Sequence, residues 1–132
     1  EYILHLYQRP NFPIIAEILE IVNLLTPEWF TPNVPDDTRR DLLFQDVLCL
    51  RQDGKLVAFL VFTSWDGSLH ITLMGTHPDY RGKGLGFMRM HHFLYHAKHL
   101  GFERVVTLTV PPDVKPVYQA TIRFYEKHGF VL

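Results

Sequence analysis

The sequence predicts an α+β domain with one mixed sheet and helices on both of its faces. Three observations carry that expectation. Two Asp-Gly pairs, Asp53-Gly54 and Asp66-Gly67, each stand between apolar, strand-like runs, a strong hairpin signal because both residue types tolerate positive φ. A run with helical spacing (Ile14, Ile15, Ile18, Leu19, Val22, Leu25) precedes the hairpins. A glycine-rich turn, Arg81 to Gly86, then leads from a strand-like run into a second amphipathic one.

Taken in order, Tyr2 to Tyr7 reads as a first strand and Pro13 to Leu25 as a helix, with proline in a first turn that tolerates it. Pro27, Pro32 and Pro35 break the next stretch, Thr26 to Asp36, into an ordered loop around Trp29 and Phe30. A short helix is expected from Asp37 to Phe44. Val47 to Arg51, Lys55 to Thr63 and Leu69 to Gly75 form an antiparallel meander. Leu85 to Leu100 is a helix, with Phe87, Met90, Phe93, Leu94, Ala97 and Leu100 on its apolar side and Gly101 as its C-cap. Val105 to Val110 is a short buried strand closed by Pro111-Pro112. A last helix runs from Pro116 to Lys127 and stops at Gly129. The order is β-α-α-β-β-β-α-β-α-β.

Composition narrows the function classes. At 132 residues the chain is long enough for one core, and one domain over 1–132 is expected. A net charge of −1 advertises no basic face, so nucleic acid is not an expected principal partner. The single cysteine, Cys49, excludes an internal disulfide and lies in an apolar strand, where an inert thiol is expected. Apolar runs such as Leu56 to Phe62 are too short for a membrane span, and no signal-peptide pattern opens the chain. These features together point to a cytoplasmic protein. The chain begins at Glu1 inside a strand-like run and ends at Phe130-Val131-Leu132, where a strand should start. A C-terminal strand hairpin is therefore expected to be incomplete.

The turn Thr76-His77-Pro78-Asp79-Tyr80-Arg81-Gly82-Lys83-Gly84-Leu85-Gly86 suits an anionic ligand. Backbone N–H groups at a helix N-terminus lack intrahelical partners, the helix dipole is positive there, and glycines let a ligand approach the backbone closely. It is not a Walker A loop, since Leu85 rather than a hydroxyl residue follows Gly84. A nucleotide-phosphate hydrolase is disfavoured on that ground. The Gly82-x-Gly84-x-Gly86 spacing also departs from the dinucleotide fingerprint. The segment does match Arg/Gln-x-x-Gly-x-Gly/Ala, and so resembles the acetyl-CoA pyrophosphate loop of the GCN5-related N-acetyltransferase (GNAT) family. A second stretch, Phe124-Tyr125-Glu126-Lys127-His128-Gly129-Phe130, resembles that family's later motif and stands about 40 residues further on. The resemblance covers most of the chain from Leu42 to Phe130. Tyr118 and Thr121 depart from the Asn and Ala that many members carry before the tyrosine.

The resemblance implies the acyl-CoA N-acyltransferase fold, an antiparallel meander followed by β-α-β-α-β. It also implies transfer of an acetyl group from acetyl-CoA, as cosubstrate, to a small-molecule or peptide amine by direct attack in a ternary complex. The pyrophosphate would lie on Arg81, Gly82, Lys83, Gly84, Leu85 and Gly86. The pantetheine would run beside the backbone of Met74, Gly75 and Thr76, where Gly75 can mark a splay or bulge. Tyr125 matches the family's general acid, since a phenol with ordinary pKa near 10 can protonate a leaving thiolate of pKa near 8.5 or above. A core tyrosine on the inner helix face is the plainer alternative.

For the base, His70 alternates with Thr72, Met74 and Thr76 along a strand whose side chains share one face, and histidine has a suitable ordinary pKa near 6.5. A strand histidine without a role, or a water chain to solvent, stays open beside it. Homodimerisation, common in the family, is also left open, as is an acyl-CoA-sensing module without catalysis.

Other groups admit bland readings. His92, His96 and His99 share a helix face at metal-ligand spacing, yet that face, beside Arg89, reads as solvated, and no metal is expected. His77 can line the thioester site or serve the turn. Trp29 and Phe30 can wall the acceptor pocket or pack under the loop. Asp36 and Asp37 can attract a cationic amine or cap the next helix.

Overall fold

The computed structural model describes residues 1–107, and the strands and helices it contains follow the expected order. Strands β1 (Tyr2–Tyr7), β2 (Asp46–Gln52), β3 (Lys55–Trp65), β4 (Ser68–Thr76) and β5 (Val105–Thr107) lie side by side in that order. The first four pair antiparallel, and β4 pairs parallel with β5. Both hairpins turn on the two Asp-Gly pairs, with positive φ at Asp53, Gly54, Asp66 and Gly67. The sheet is therefore mixed, because the one parallel pair needs a crossover and helix α3 (Leu85–His99) supplies it.

Helix α1 (Phe12–Leu24) starts where Asn11 accepts a hydrogen bond from the Ile14 N–H at 3.2 Å, with Pro13 in the first turn. Its Ile15, Ile18, Ile21 and Val22 bury against Val47, Cys49, Phe59 and Val61 on one face of the sheet. On the other face, Met90, Phe93 and Ala97 of α3 pack on Leu48, Leu60, Phe62, Leu69 and Ile71. Two apolar layers thus sandwich β3, whose residues Leu56 to Phe62 are all buried. Each fully buried large side chain in these layers stabilises the fold by about 1.5–3 kcal/mol relative to exposure. This layout, one mixed sheet flanked by helices, is the one the resemblance implies.

Several local expectations shift. Helix α2 spans Val34–Asp41 rather than Asp37 to Phe44, because Pro35 fits its first turn and so opens the helix instead of closing the loop. Asn33 is its N-cap, and Asp36 and Asp37 lie inside the first turn, paired with Arg39 and Arg40 three residues on. In α3, Phe87 and Leu100 are exposed and the buried set is Leu85, Arg89, Met90, Phe93 and Ala97. Gly101, at φ +91°, follows the last turn, and the Phe102 N–H closes on the Ala97 carbonyl at 3.0 Å, so the C-cap expectation holds. The final helix and the second half of the Val105 to Val110 strand lie outside the described residues.

Candidate active site

Strand β4 positions the site, and its register holds the main surprise. Val61 faces Leu73, but the next pair is Phe62 with Ile71, so Thr72 is an extra residue. It is exposed, and its hydroxyl donates to Gln45 Oε1 at 2.6 Å, with Val61 O at 3.3 Å. Because side chains alternate, one inserted residue reverses the faces on either side of it. Leu69 and Ile71 pack with α3 before the bulge, and Met74 does so after it, while Leu73 packs with α1. His70 therefore does not share a face with Met74 and Thr76, as uninterrupted alternation predicts. It shares one with Leu73 and Gly75, on the α1 side.

Gly75 is not the bulge. A Cβ built there would lie 2.8 Å from Phe59 Cε2, 2.9 Å from Phe59 Cζ and 3.1 Å from Leu25 Cδ1. Glycine is required because the end of α1 and the Phe59 ring press on the strand at this point. Beyond it, the His77 N–H donates to Val57 O at 2.8 Å, and His77 Nδ1 accepts from the Asp79 N–H at 3.1 Å. His77 is buried with its ring edge-on to Tyr80. It serves the single-turn helix Pro78–Tyr80, which is the turn role.

The glycine loop that follows is open. Gly82 and Gly84 adopt φ of +75° and +76°, and a Cβ at either would meet nothing within 4 Å. These left-handed conformations turn the chain into α3, where Gly84 is the N-cap and the Met88 N–H begins the ladder on Gly84 O at 3.1 Å. Helix geometry gives the Leu85 and Gly86 N–H groups no carbonyl within α3, so they point toward the loop. Lys83 Nζ stands 5.3 Å from the centre of the Tyr80 ring, with Lys55 Nζ at 5.5 Å. Cationic side chains, a positive helix end and open backbone form a cradle for an anion.

Trp29 and Phe30 both pack with the α1-side core. Phe30 is buried in the α1-side core, whereas Trp29 is half-buried and carries the Arg81 guanidinium over its ring at 4.2 Å. Partial removal of water lowers the Arg81 pKa, and the charge of Glu28 opposes that shift. The loop between α1 and α2 thus touches the cradle directly.

Arg89 corrects another expectation. It is buried rather than on a solvated face, and its Nη1 donates to Gly75 O at 2.8 Å and Phe59 O at 3.2 Å, with Thr76 Oγ1 at 3.3 Å. The spacing of Leu85, Arg89, Phe93 and Ala97 was the available signal; the charge masked it.

At the hairpin end of β4, the His70 ring meets Trp65 edge-on at 5.9 Å. His70 Nε2 is buried, and among the described residues it finds no hydrogen-bond partner. Trp65 is 70% exposed. The structure thus gathers Met74, Gly75, Thr76 and Arg81 to Gly86 at one end of β4 and sets His70 four residues before Met74. Tyr125 lies outside the described residues. Among those residues, no three His, Cys, Asp or Glu gather to hold a metal ion, and no helix is long and apolar enough to cross a membrane.

Comparison with solved structures finds the same fold at low identity. A protein from Desulfovibrio desulfuricans, described as of the GNAT family, matches with TM-score 0.79 and 15% identity, over 98% of this chain and 85% of that one. The ribosomal-protein-S18-alanine N-acetyltransferase of Escherichia coli matches with TM-score 0.77 and 17% identity, over 98% and 78%. Aminoglycoside N-acetyltransferase AAC(6')-Iy in complex with CoA matches with TM-score 0.67 and 12% identity, over 100% and 90%. A search of curated protein sequences gives no match. The sequence model of the acetyltransferase (GNAT) family matches residues 15–130. With that match spanning most of the sequence, on a fold whose strand-to-helix turn forms an anion cradle, the chain belongs to the GNAT acetyltransferase family.

Proposed function

We propose that this chain, as one domain over residues 1–132, transfers the acetyl group of acetyl-CoA to a primary amine of a small molecule or peptide by direct attack in a ternary complex. The observation that carries the reading is the open left-handed turn at Gly82 and Gly84, set at the N-terminus of α3 directly after β4. It offers backbone donors and positive potential to a pyrophosphate. The relatives support amine acetylation: one by its name acts on a ribosomal-protein alanine and another on aminoglycosides, the latter in complex with CoA.

In this reading Arg81, Gly82, Lys83, Gly84, Leu85 and Gly86 hold the pyrophosphate, and the backbone of Met74, Gly75 and Thr76 aligns the pantetheine arm. His70 removes a proton from the acceptor ammonium, as an imidazole can near neutral pH. The freed amine attacks the acetyl carbonyl, the C–S bond breaks, Tyr125 donates its phenol proton to the thiolate, and the second proton shed by the nitrogen as the amide forms restores that phenol.

The test is calorimetric titration with acetyl-CoA and with ATP, followed by thiol-release assays over a panel of amines. Acetyl-CoA binding without ATP binding, together with amine-dependent thiol release, is the expected result. Binding without release for any amine would favour an acyl-CoA sensor, and no acetyl-CoA binding would overturn the reading.

A further inference from the structure

Burying an arginine costs desolvation, and an apolar side chain of similar volume would fill the same space without it. Arg89 is nevertheless buried, one turn inside the helix that presents the glycine cradle. Its guanidinium reaches out of α3 to the terminal residues of β4, the Gly75 carbonyl and the Thr76 hydroxyl, and to Phe59 O of the neighbouring strand. Gly75 cannot shift toward the α1 face, because Phe59 and Leu25 already occupy that space. The strand end is held from one side by packing and from the other by Arg89.

We infer that Arg89 is a positioning residue that fixes the distance between two subsites of a single extended ligand: the backbone edge of Met74–Thr76 and the anion cradle of Arg81–Gly86. The inference rests on the acetyl-CoA reading above. The ligand must lie on both subsites at once, so its affinity includes a gain from their fixed separation, which a fragment bound to only one subsite never collects. A planar cation suits this work, since its Nη1 alone engages acceptors on two strands. In this role Arg89 acts through Gly75 and Thr76.

The experiment compares acetyl-CoA with 3′-phospho-ADP, the part of the cofactor that occupies the cradle alone, by calorimetry on wild type and Arg89→Met. The expected result is a loss of acetyl-CoA affinity of about tenfold or more, since linking two subsites at a fitting separation is worth about 10²- to 10⁴-fold. The 3′-phospho-ADP affinity stays within about twofold, since the cradle lies in the turn at Gly82 and Gly84 and at the start of α3, whereas Arg89 bonds Phe59, Gly75 and Thr76. Equal losses for both ligands would mean that Arg89 acts on the cradle through charge or folding, and would overturn the inference. No loss for either would do the same. If Arg89→Met does not fold, Arg89→Lys is measured in its place, with the same differential expected because the fork is gone. Wild type that binds neither ligand overturns the acetyl-CoA reading and this inference together. Wild type that binds both, with Arg89→Met matching it, overturns this inference alone.

Discussion

The two ends of β4 are built differently. At the loop end, backbone does the work: left-handed glycines at 82 and 84, a glycine at 75 with no room for a Cβ, and carbonyls gripped by Arg89. At the hairpin end, side chains stand out: Trp65 is exposed, and the His70 ring leans against it. Between them, the Thr72 bulge exchanges the faces of the strand. A ligand common to many relatives is best met by main-chain geometry, which any sequence of the right shape supplies. A ligand that differs between relatives is best met by side chains, which change without disturbing the sheet. In the proposed reading, the difference teaches that the cofactor end of this strand is constrained by conformation and the acceptor end by chemistry.

The sharpest way to break that contrast is Gly84→Asp. Aspartate tolerates positive φ, as Asp53 and Asp66 show here, so the turn should survive. A carboxylate placed in the cradle should cost several kcal/mol against a pyrophosphate, and acetyl-CoA affinity should drop about 100-fold or more in calorimetry. Unchanged affinity would remove the loop from the site. Next comes His70→Gln at the other end. Turnover should fall about 100-fold while acetyl-CoA affinity stays within about twofold, if a side chain there moves the proton. Loss of affinity with intact turnover would reverse the assignment of the two ends.

Gly75→Ala tests the conformational claim without touching charge. A methyl group 2.8 Å from the Phe59 ring should destabilise the fold by about 1–3 kcal/mol in urea unfolding. No loss would show that Phe59 moves aside easily and that the strand end is softer than its packing implies.

The smallest effect lies away from β4, where Arg51 of β2 grips Glu17 of α1 through two bonds of 2.7 and 2.8 Å. The hydrogen bond from Arg51 holds the Glu17 carboxyl below its ordinary value of 4.5. A depressed folded pKa means the contribution is complete above 4.5 and is lost as pH falls through the lowered value. Glu17→Gln should therefore cost about 0.5–1 kcal/mol at pH 7, a solvent-screened amount, and nothing once the carboxyl is protonated. Thermal midpoints of both proteins across that range would show the gap closing; a constant gap would exclude the ion pair as its source.

Local signals made the loop end readable. Asp-Gly hairpins and the Arg81 to Gly86 turn each lie within a few consecutive residues, so the chemistry that shapes them is adjacent in the chain. The first helix was legible from its isoleucine spacing for the same reason. Three features needed the third dimension. The Thr72 bulge leaves no mark in the sequence, because polar residues at 70, 72 and 76 imitate regular alternation. Arg89 reads as a surface charge until its acceptors, 13 to 30 residues away, are brought next to it. Trp29 becomes part of the cradle only when the loop between the first two helices folds over Arg81. Pro35, read as a breaker, opens α2 because proline suits a first turn as well as a loop.

Cys49 has a practical consequence. Its thiol is buried in β2, and burial pushes its pKa up to about 12. Since it is also the one cysteine of the chain, the native protein offers a disulfide reagent almost no thiolate at neutral pH. In the proposed reaction, a colorimetric count of released sulfhydryls would thus read product with almost no background from folded Cys49, and the first appearance of a protein signal in such an assay would be a clock for unfolding.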